Sequence, residues 1–263
     1  MSDLSHAARI PPEVLHSIAA EVGTPAYIYD VGALEAGIGR WIGAVGDPAR
    51  ISFAAKANSN LAVLAIMERS GVGIEVATPG EFARALAAGF PETRIVFGGV
   101  PKSDTAVRAG IESGAGMIVL QSGHEVEAAI RHAPSFPGGT LPVGLRVRPG
   151  IRAGAHPSLE TGRADAKFGF APDEVSEVWA RLASVEGIAP RTLAFHLGSG
   201  LEGVDPYERA VDLMLSLVEA LADTDFPVRE LDVGGGLGVD YAGERDPEPE
   251  RLVTALEARL EGV

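Results

Sequence analysis

Lys56 stands directly after a short apolar run, ISFAA at 51–55, and is followed by Ala57 and Asn58. A lysine whose stem is buried at a strand end gives up its charge more readily than one in water, which suits an amine that forms an imine with a carbonyl. The competing reading is a lysine that lays its stem on apolar surface and reaches out to water. Gly234, Gly235 and Gly236 follow a second such run, ELDV at 230–233. Glycines in succession let backbone N–H groups approach a phosphate with no β-carbon in the way. They serve equally well in a tight strand-to-helix turn with no ligand, and their spacing is not that of a dinucleotide fingerprint. His196 sits in the apolar run TLAFHL at 192–197, where a satisfied core histidine is the plain reading. The adjoining Gly198, Ser199 and Gly200 favour the other reading, because a hydroxyl and free N–H groups beside the imidazole could hold an anion. Arg146 and Arg148 are expected to point to opposite sides of their strand, so that one of them faces the site. An amine, an imidazole and a glycine-rich anion site together suit an aldehyde cofactor that carries a phosphate. The remaining histidines show no metal-ligand spacing, and no metal is expected.

The elements that must position these groups alternate. Strand-like runs lie at 51–55, 74–77, 95–98, 117–120, 143–147, 192–197 and 230–233, with a further isolated run at 26–29. Helical stretches are expected at about 31–44, 60–69, 79–88, 103–112, 123–132, 172–183, 206–222 and 248–260. Short apolar strands separated by helices predict a parallel sheet covered on both faces. In a (β/α) barrel the chemistry gathers at the C-terminal strand ends. Lys56, the segment after Glu75, Arg146, His196 and the three glycines all lie at such ends, and so converge on one mouth. A closed barrel needs eight strands. Seven are visible after 26–29 is set aside, and the sequence ends at Val263, where an eighth would begin; the eighth strand is expected to be missing or to come from elsewhere.

Length and composition agree with one α/β barrel: 263 residues, 46% hydrophobic and 22% charged. A formal net charge of −14 argues against nucleic acid as the main partner but not against a small anion held by backbone donors. No apolar run is long enough to span a bilayer, and residues 1–13 carry no signal-peptide pattern. With no cysteine there is neither a disulfide framework nor thiolate chemistry, and a cytoplasmic location is the default expectation.

The run FAAKANSN at 53–60 resembles the lysine motif of the fold-type III pyridoxal 5′-phosphate (PLP) dependent amino-acid decarboxylases. Further matches follow in order: PGE at 79–81 with ALAAG at 85–89, FGG at 97–99 with Lys102 and Ser103, and LRVRPG at 145–150. Thr161 and Gly162 with KFG at 167–169, HLGS at 196–199 and LDVGGG at 231–236 complete the set, and the diaminopimelate branch is the most similar. The resemblance implies an alanine racemase-like (β/α)8 barrel and a PLP cofactor. It implies that Lys56 forms the internal aldimine, that His196 stacks on the ring, and that Ser199, Gly234, Gly235 and Gly236 hold the phosphate. Arg146 and Glu75 would lie near the ring and the lysine.

The departures are specific. Arg148 stands where that branch has Asn, and Glu75 stands where Asp is usual. The family's E-P-G-R segment on the eighth strand and its C-terminal β domain are absent from the sequence. The family would pair residues 1–30, with the strand at 26–29, with that β domain, leaving 31–263 as the barrel. The expected activity is decarboxylation of diaminopimelate or another basic α-amino acid, in a homodimer or with a partner chain that supplies the missing domain. A PLP-binding barrel without decarboxylase activity, or an incomplete product, are the rival readings.

Overall fold

The computed structural model describes residues 10–99, 101–152, 162, 167–201, 203–239 and 248–261. The strands are β1 (Ser52–Ala54), β2 (Gly73–Val76), β3 (Ile95–Phe97), β4 (Met117–Leu120), β5 (Leu141–Arg146), β6 (Ile188–Ala194) and β7 (Glu230–Asp232). They form one sheet in sequence order, and every neighbouring pair is parallel. The helices are α1 (Pro12–Val22), α2 (Val31–Val45), α3 (Leu61–Arg69), α4 (Pro79–Ala87) and α5 (Asp104–Glu112), then α6 (Gly123–His132), α7 (Val175–Ala183), α8 (Asp205–Ala220) and α9 (Pro249–Leu260). The architecture is the expected (β/α) barrel, with seven strands among the described residues.

Alternation along each strand separates two apolar layers. Ile74, Val76, Ile95, Phe97, Ile118, Leu120, Val143, Leu145, Leu193 and Phe195 point outward into the main core beneath the helices. Met117, Val119 and Ala194, with Val96, form a second, smaller cluster on the other face. That face is the barrel interior. In its register Ala54 lies beside Glu75 and Glu75 beside Val96, while Arg146 lies beside Ala194 and Ala194 beside Asp232. The lumen is therefore plugged by small and medium apolar side chains and turns polar toward the strand ends.

Side-chain caps start the helices close behind the strands. Asn60 accepts from the Ala62 amide at 2.9 Å, Thr78 from Glu81 at 3.1 Å, Ser103 from Ala106 at 3.2 Å and Ser122 from Glu125 at 3.3 Å. Short loops of this kind hold the strand-end residues on rigid scaffolding.

Among the described residues, strands β1 and β7 each pair on one side only and are the least buried of the sheet, whereas β4 is buried throughout. The strand layer is thus open between them. The helical layer continues across the opening, because α9 packs against both α8 and α2. Arg40 of α2 donates to Glu250 of α9 at 2.9 Å, and Arg259 of α9 donates to Asp212 of α8 at 2.6 Å.

Three expectations are corrected. Residues 26–29 form no strand; they run without ladder partners, and Tyr27 is 92% exposed. Helix α1 was not expected, although Pro12 at its first turn and Gly23 at its end are helix boundary signals. Strand β6 begins at Ile188 rather than at 192. Arg191 is the extra residue of a bulge opposite the Val143–Gly144 step, and such an irregularity accommodates Pro190 inside a strand.

Candidate cofactor site at the strand ends

Lys56 lies in a single 3-10 turn (Ala55–Ala57) directly after β1. It is exposed, which corrects the expectation of a buried stem. The cause is its strand: β1 is an edge, with a neighbour on one side only. The Lys56 charge nevertheless acts on both Glu75 and His196, so the amine belongs to the lumen's set of charged groups.

Glu75 projects inward from β2. Burial raises its carboxyl above the usual range, and Asp232 across the lumen adds to this; Lys56, Arg146 and Lys102 oppose it. Asp232, at the end of β7, is likewise raised by burial, against the hydrogen bond it accepts from the Gly234 amide at 2.8 Å and the field of Arg146. Two carboxyls thus share a lumen with Arg146, whose own proton affinity is lowered by burial and sustained by Glu75, Asp232 and Glu125.

Arg146 and Arg148 do part, but not through strand alternation, since residues two apart share a face. Strand β5 ends at Arg146, and Arg148 lies past the isolated Val147–Phe170 bridge. Its guanidinium donates to the Gly169 carbonyl at 2.7 Å and lies 3.8 Å from Glu174. Arg148 therefore fastens the segment that carries Lys167, Phe168 and Gly169. Gly162 is held by its amide on the Leu197 carbonyl at 3.2 Å, while Thr161 lies outside the described residues.

His196 lies two residues beyond β6, on the lumen side. Its imidazole is pushed down to about 4, by burial first and then by Arg146 and Lys56, so it is neutral at pH 7. The Gly235 amide faces its Nδ1 at 3.5 Å. The two glycine-rich loops lie side by side: the Leu201 amide donates to Gly236 at 2.9 Å and the Gly238 amide to Leu201 at 3.0 Å. Ser199, within the first of these loops, is exposed.

The three glycines are not equivalent. A β-carbon on Gly234 would overlap the Phe195 carbonyl, and one on Gly236 the Gly198 carbonyl; both residues also have positive φ, 68° and 105°. Protein geometry alone demands glycine there. At Gly235 a β-carbon would meet nothing within 4 Å. The middle glycine borders open space beside the imidazole, room that an anionic group can enter with no β-carbon in the way. Beneath it, the fully buried Tyr207 donates to the Gly235 carbonyl at 3.2 Å and braces the loop.

Four residues of this site escaped sequence reasoning as functional groups: Asp232, Gln121, Lys102 and Glu125. Lys102 and Glu125 form a buried ion pair at 2.9 Å, with side chains 0% and 2% exposed. Lys102 Nζ also donates to the Gly98 and Gly99 carbonyls, at 2.7 and 3.0 Å. A lysine beside a capping serine carries no sign in sequence that it turns inward. Only the partner brought up by α6 makes its burial possible.

A family profile described as the pyridoxal-binding domain of the pyridoxal-dependent decarboxylases matches residues 31–263. The chain belongs to that family. The cofactor expected from the sequence, PLP, agrees with this assignment. Diaminopimelate decarboxylase from Pseudomonas aeruginosa is 39% identical over 249 residues, which cover 94% of this chain and 60% of that protein. The Vibrio cholerae diaminopimelate decarboxylase is 35% identical over 94% of this chain and 59% of its own length. Among solved structures, diaminopimelate decarboxylase from Helicobacter pylori complexed with L-lysine superposes with a TM-score of 0.89 at 28% identity, covering 95% of this chain and 63% of that one. The chain thus spans about 60% of the length of the relatives it matches.

Proposed function

We propose that this chain is the cofactor-binding barrel of a decarboxylase acting on an α-amino acid, with diaminopimelate or another basic amino acid as substrate. The observation that carries the reading is the open space at Gly235, beside the neutral imidazole of His196 and on the same lumen as Lys56. When bound, PLP supplies an electron sink for the bond electrons released as CO2 leaves the α-carbon. Lys56 Nζ is the amine that would hold the cofactor's aldehyde carbon, and when not so engaged it would be placed to carry a proton at the lumen. His196 is held neutral, so it would offer an uncharged aromatic face to the ring. Ser199 and the 234–236 loop would hold the phosphate, leaving Arg146 and Glu75 to set the field around the ring. The net reaction consumes one proton, which replaces the carboxylate on the α-carbon.

We propose further that residues 1–30 act apart from the barrel at 31–263. In support, α1 buries no residue, and Tyr27, Ile28 and Tyr29 are exposed apolar side chains. A second copy or a partner chain would cover them.

Two measurements test the function. Addition of PLP should give a visible absorption band, and borohydride reduction should leave the pyridoxyl mass on the peptide that contains Lys56. Release of CO2 from diaminopimelate, lysine, ornithine and arginine then identifies the substrate. A pyridoxyl mass on any other lysine, with Lys56 unmodified, would sink the assignment.

A further inference from the structure

We propose that Gln121 is a positioning residue that holds the Arg146 guanidinium at the lumen mouth without neutralising it. Gln121 directly follows β4, next to the strand that carries Arg146, and is 6% exposed. Its Oε1 accepts from Arg146 Nη1 at 3.1 Å. Its Nε2 donates to the Gly99 carbonyl. The backbone of Gln121 is fixed as firmly: its amide donates to Glu125 Oε2 at 2.9 Å, and its carbonyl accepts from Gly169 at 3.2 Å.

These contacts determine which way the side-chain amide faces. Turned over, it would set carbonyl against the Gly99 carbonyl and NH2 against the guanidinium, both repulsive. The Gly99 carbonyl is itself immobilised by Lys102 Nζ, which the buried Glu125 holds. A chain of partners therefore runs from Glu125 through Lys102, Gly99 and Gln121 to Arg146. The acceptor at its end is neutral. A carboxylate there would cancel the Arg146 charge, whereas an amide oxygen orients the guanidinium and leaves its field on the groups it faces, Glu75 and Asp232 as well as His196. Lys56 acts on His196 from the far side of the lumen, in the turn after β1.

Gln121→Met keeps the side-chain size and removes both hydrogen bonds. The first readout is the His196 imidazole titration by NMR in cofactor-free protein, assigned with His196→Gln. Its midpoint should rise by about one pH unit as Arg146 loses its fixed position. The same substitution made in an Arg146→Gln background should leave the midpoint unmoved; Arg146→Lys serves if that background unfolds, with a rise smaller than in the Arg146 protein. An equal rise in both backgrounds, or no rise in either, overturns the proposal, because a merely structural Gln121 would not act through Arg146. The second readout rests on the function proposed above: Gln121→Met should weaken PLP binding about fivefold, again only when Arg146 is present. Failure of the unsubstituted chain to bind PLP would overturn that function alone, and the imidazole titration would still decide the role of Gln121.

Discussion

The carboxylate of Glu75 occupies the space that a β-carbon on Gly98 would need. The two residues sit at the ends of neighbouring strands, and the Gly98 amide is tied to the Val76 carbonyl at 3.0 Å, so the backbone cannot yield. Gly98→Ala should therefore displace the Glu75 side chain and cost about 1 kcal/mol, the lower end of overpacking effects. Glu75→Asp withdraws the carboxylate by one methylene. In that background Gly98→Ala should cost less than half as much, as read from urea unfolding midpoints. Equal costs in both backgrounds would show that Glu75 does not define the space.

The inequality of the three glycines gives a second expectation. Gly236→Ala should destabilise the chain by about 2–3 kcal/mol, since φ there is +105° and the new atom would overlap the Gly198 carbonyl. Gly235→Val should leave the thermal midpoint within a few degrees and yet weaken PLP binding by about tenfold or more, because its side chain enters the space that an anion would use. Isothermal titration with PLP beside a thermal melt separates the two. An unchanged dissociation constant in a folded Gly235→Val protein would exclude this loop as the phosphate site.

Removing one member of the buried ion pair should be expensive. Lys102→Met strands the Glu125 carboxylate, which keeps only the hydrogen bonds it accepts from the amides of Lys102 and Gln121, at 3.0 and 2.9 Å. A loss of about 3 kcal/mol is expected, at the lower end for a broken buried pair because those two bonds survive. Lys102→Arg should recover little of it, since a planar fork cannot direct its donors onto Gly98, Gly99 and Glu125 as an ammonium does. Chemical denaturation at pH 7 measures both.

His196 links stability to acid. The unfolded chain takes up a proton on this imidazole near 6.5, whereas the folded chain refuses it until about 4. Its contribution is therefore complete above 6.5 and is lost as pH falls toward 4. Wild type should lose about 2 kcal/mol more than His196→Gln between pH 7.5 and pH 4.5. The comparison isolates the imidazole from Glu75 and Asp232, whose raised values act in the opposite sense. Parallel acid profiles for the two proteins would show that His196 is not held neutral.

The sequence by itself determined the order and kind of the barrel elements. Short continuous apolar runs such as MIVL at 117–120, separated by helical stretches, are local signals that survive in any tertiary setting. It also brought Lys56, Glu75, Arg146, His196, Ser199, Gly234, Gly235 and Gly236 to one end of the sheet, because strand ends follow from strand positions alone. Burial and partnership were another matter. Lys56 is exposed because β1 proves to be an edge, and Lys102 is buried because α6 supplies Glu125 across 23 positions of sequence. The run at 26–29 is short and apolar like the strands, but among the described residues it has no neighbour to complete its hydrogen bonds. Gly235 differs from Gly234 and Gly236 through their positive φ and through the atoms that the 195–198 segment brings beside them. Each of these outcomes depends on groups distant in the chain, and the energy of a charge, a ladder or a β-carbon is set by what surrounds it in space.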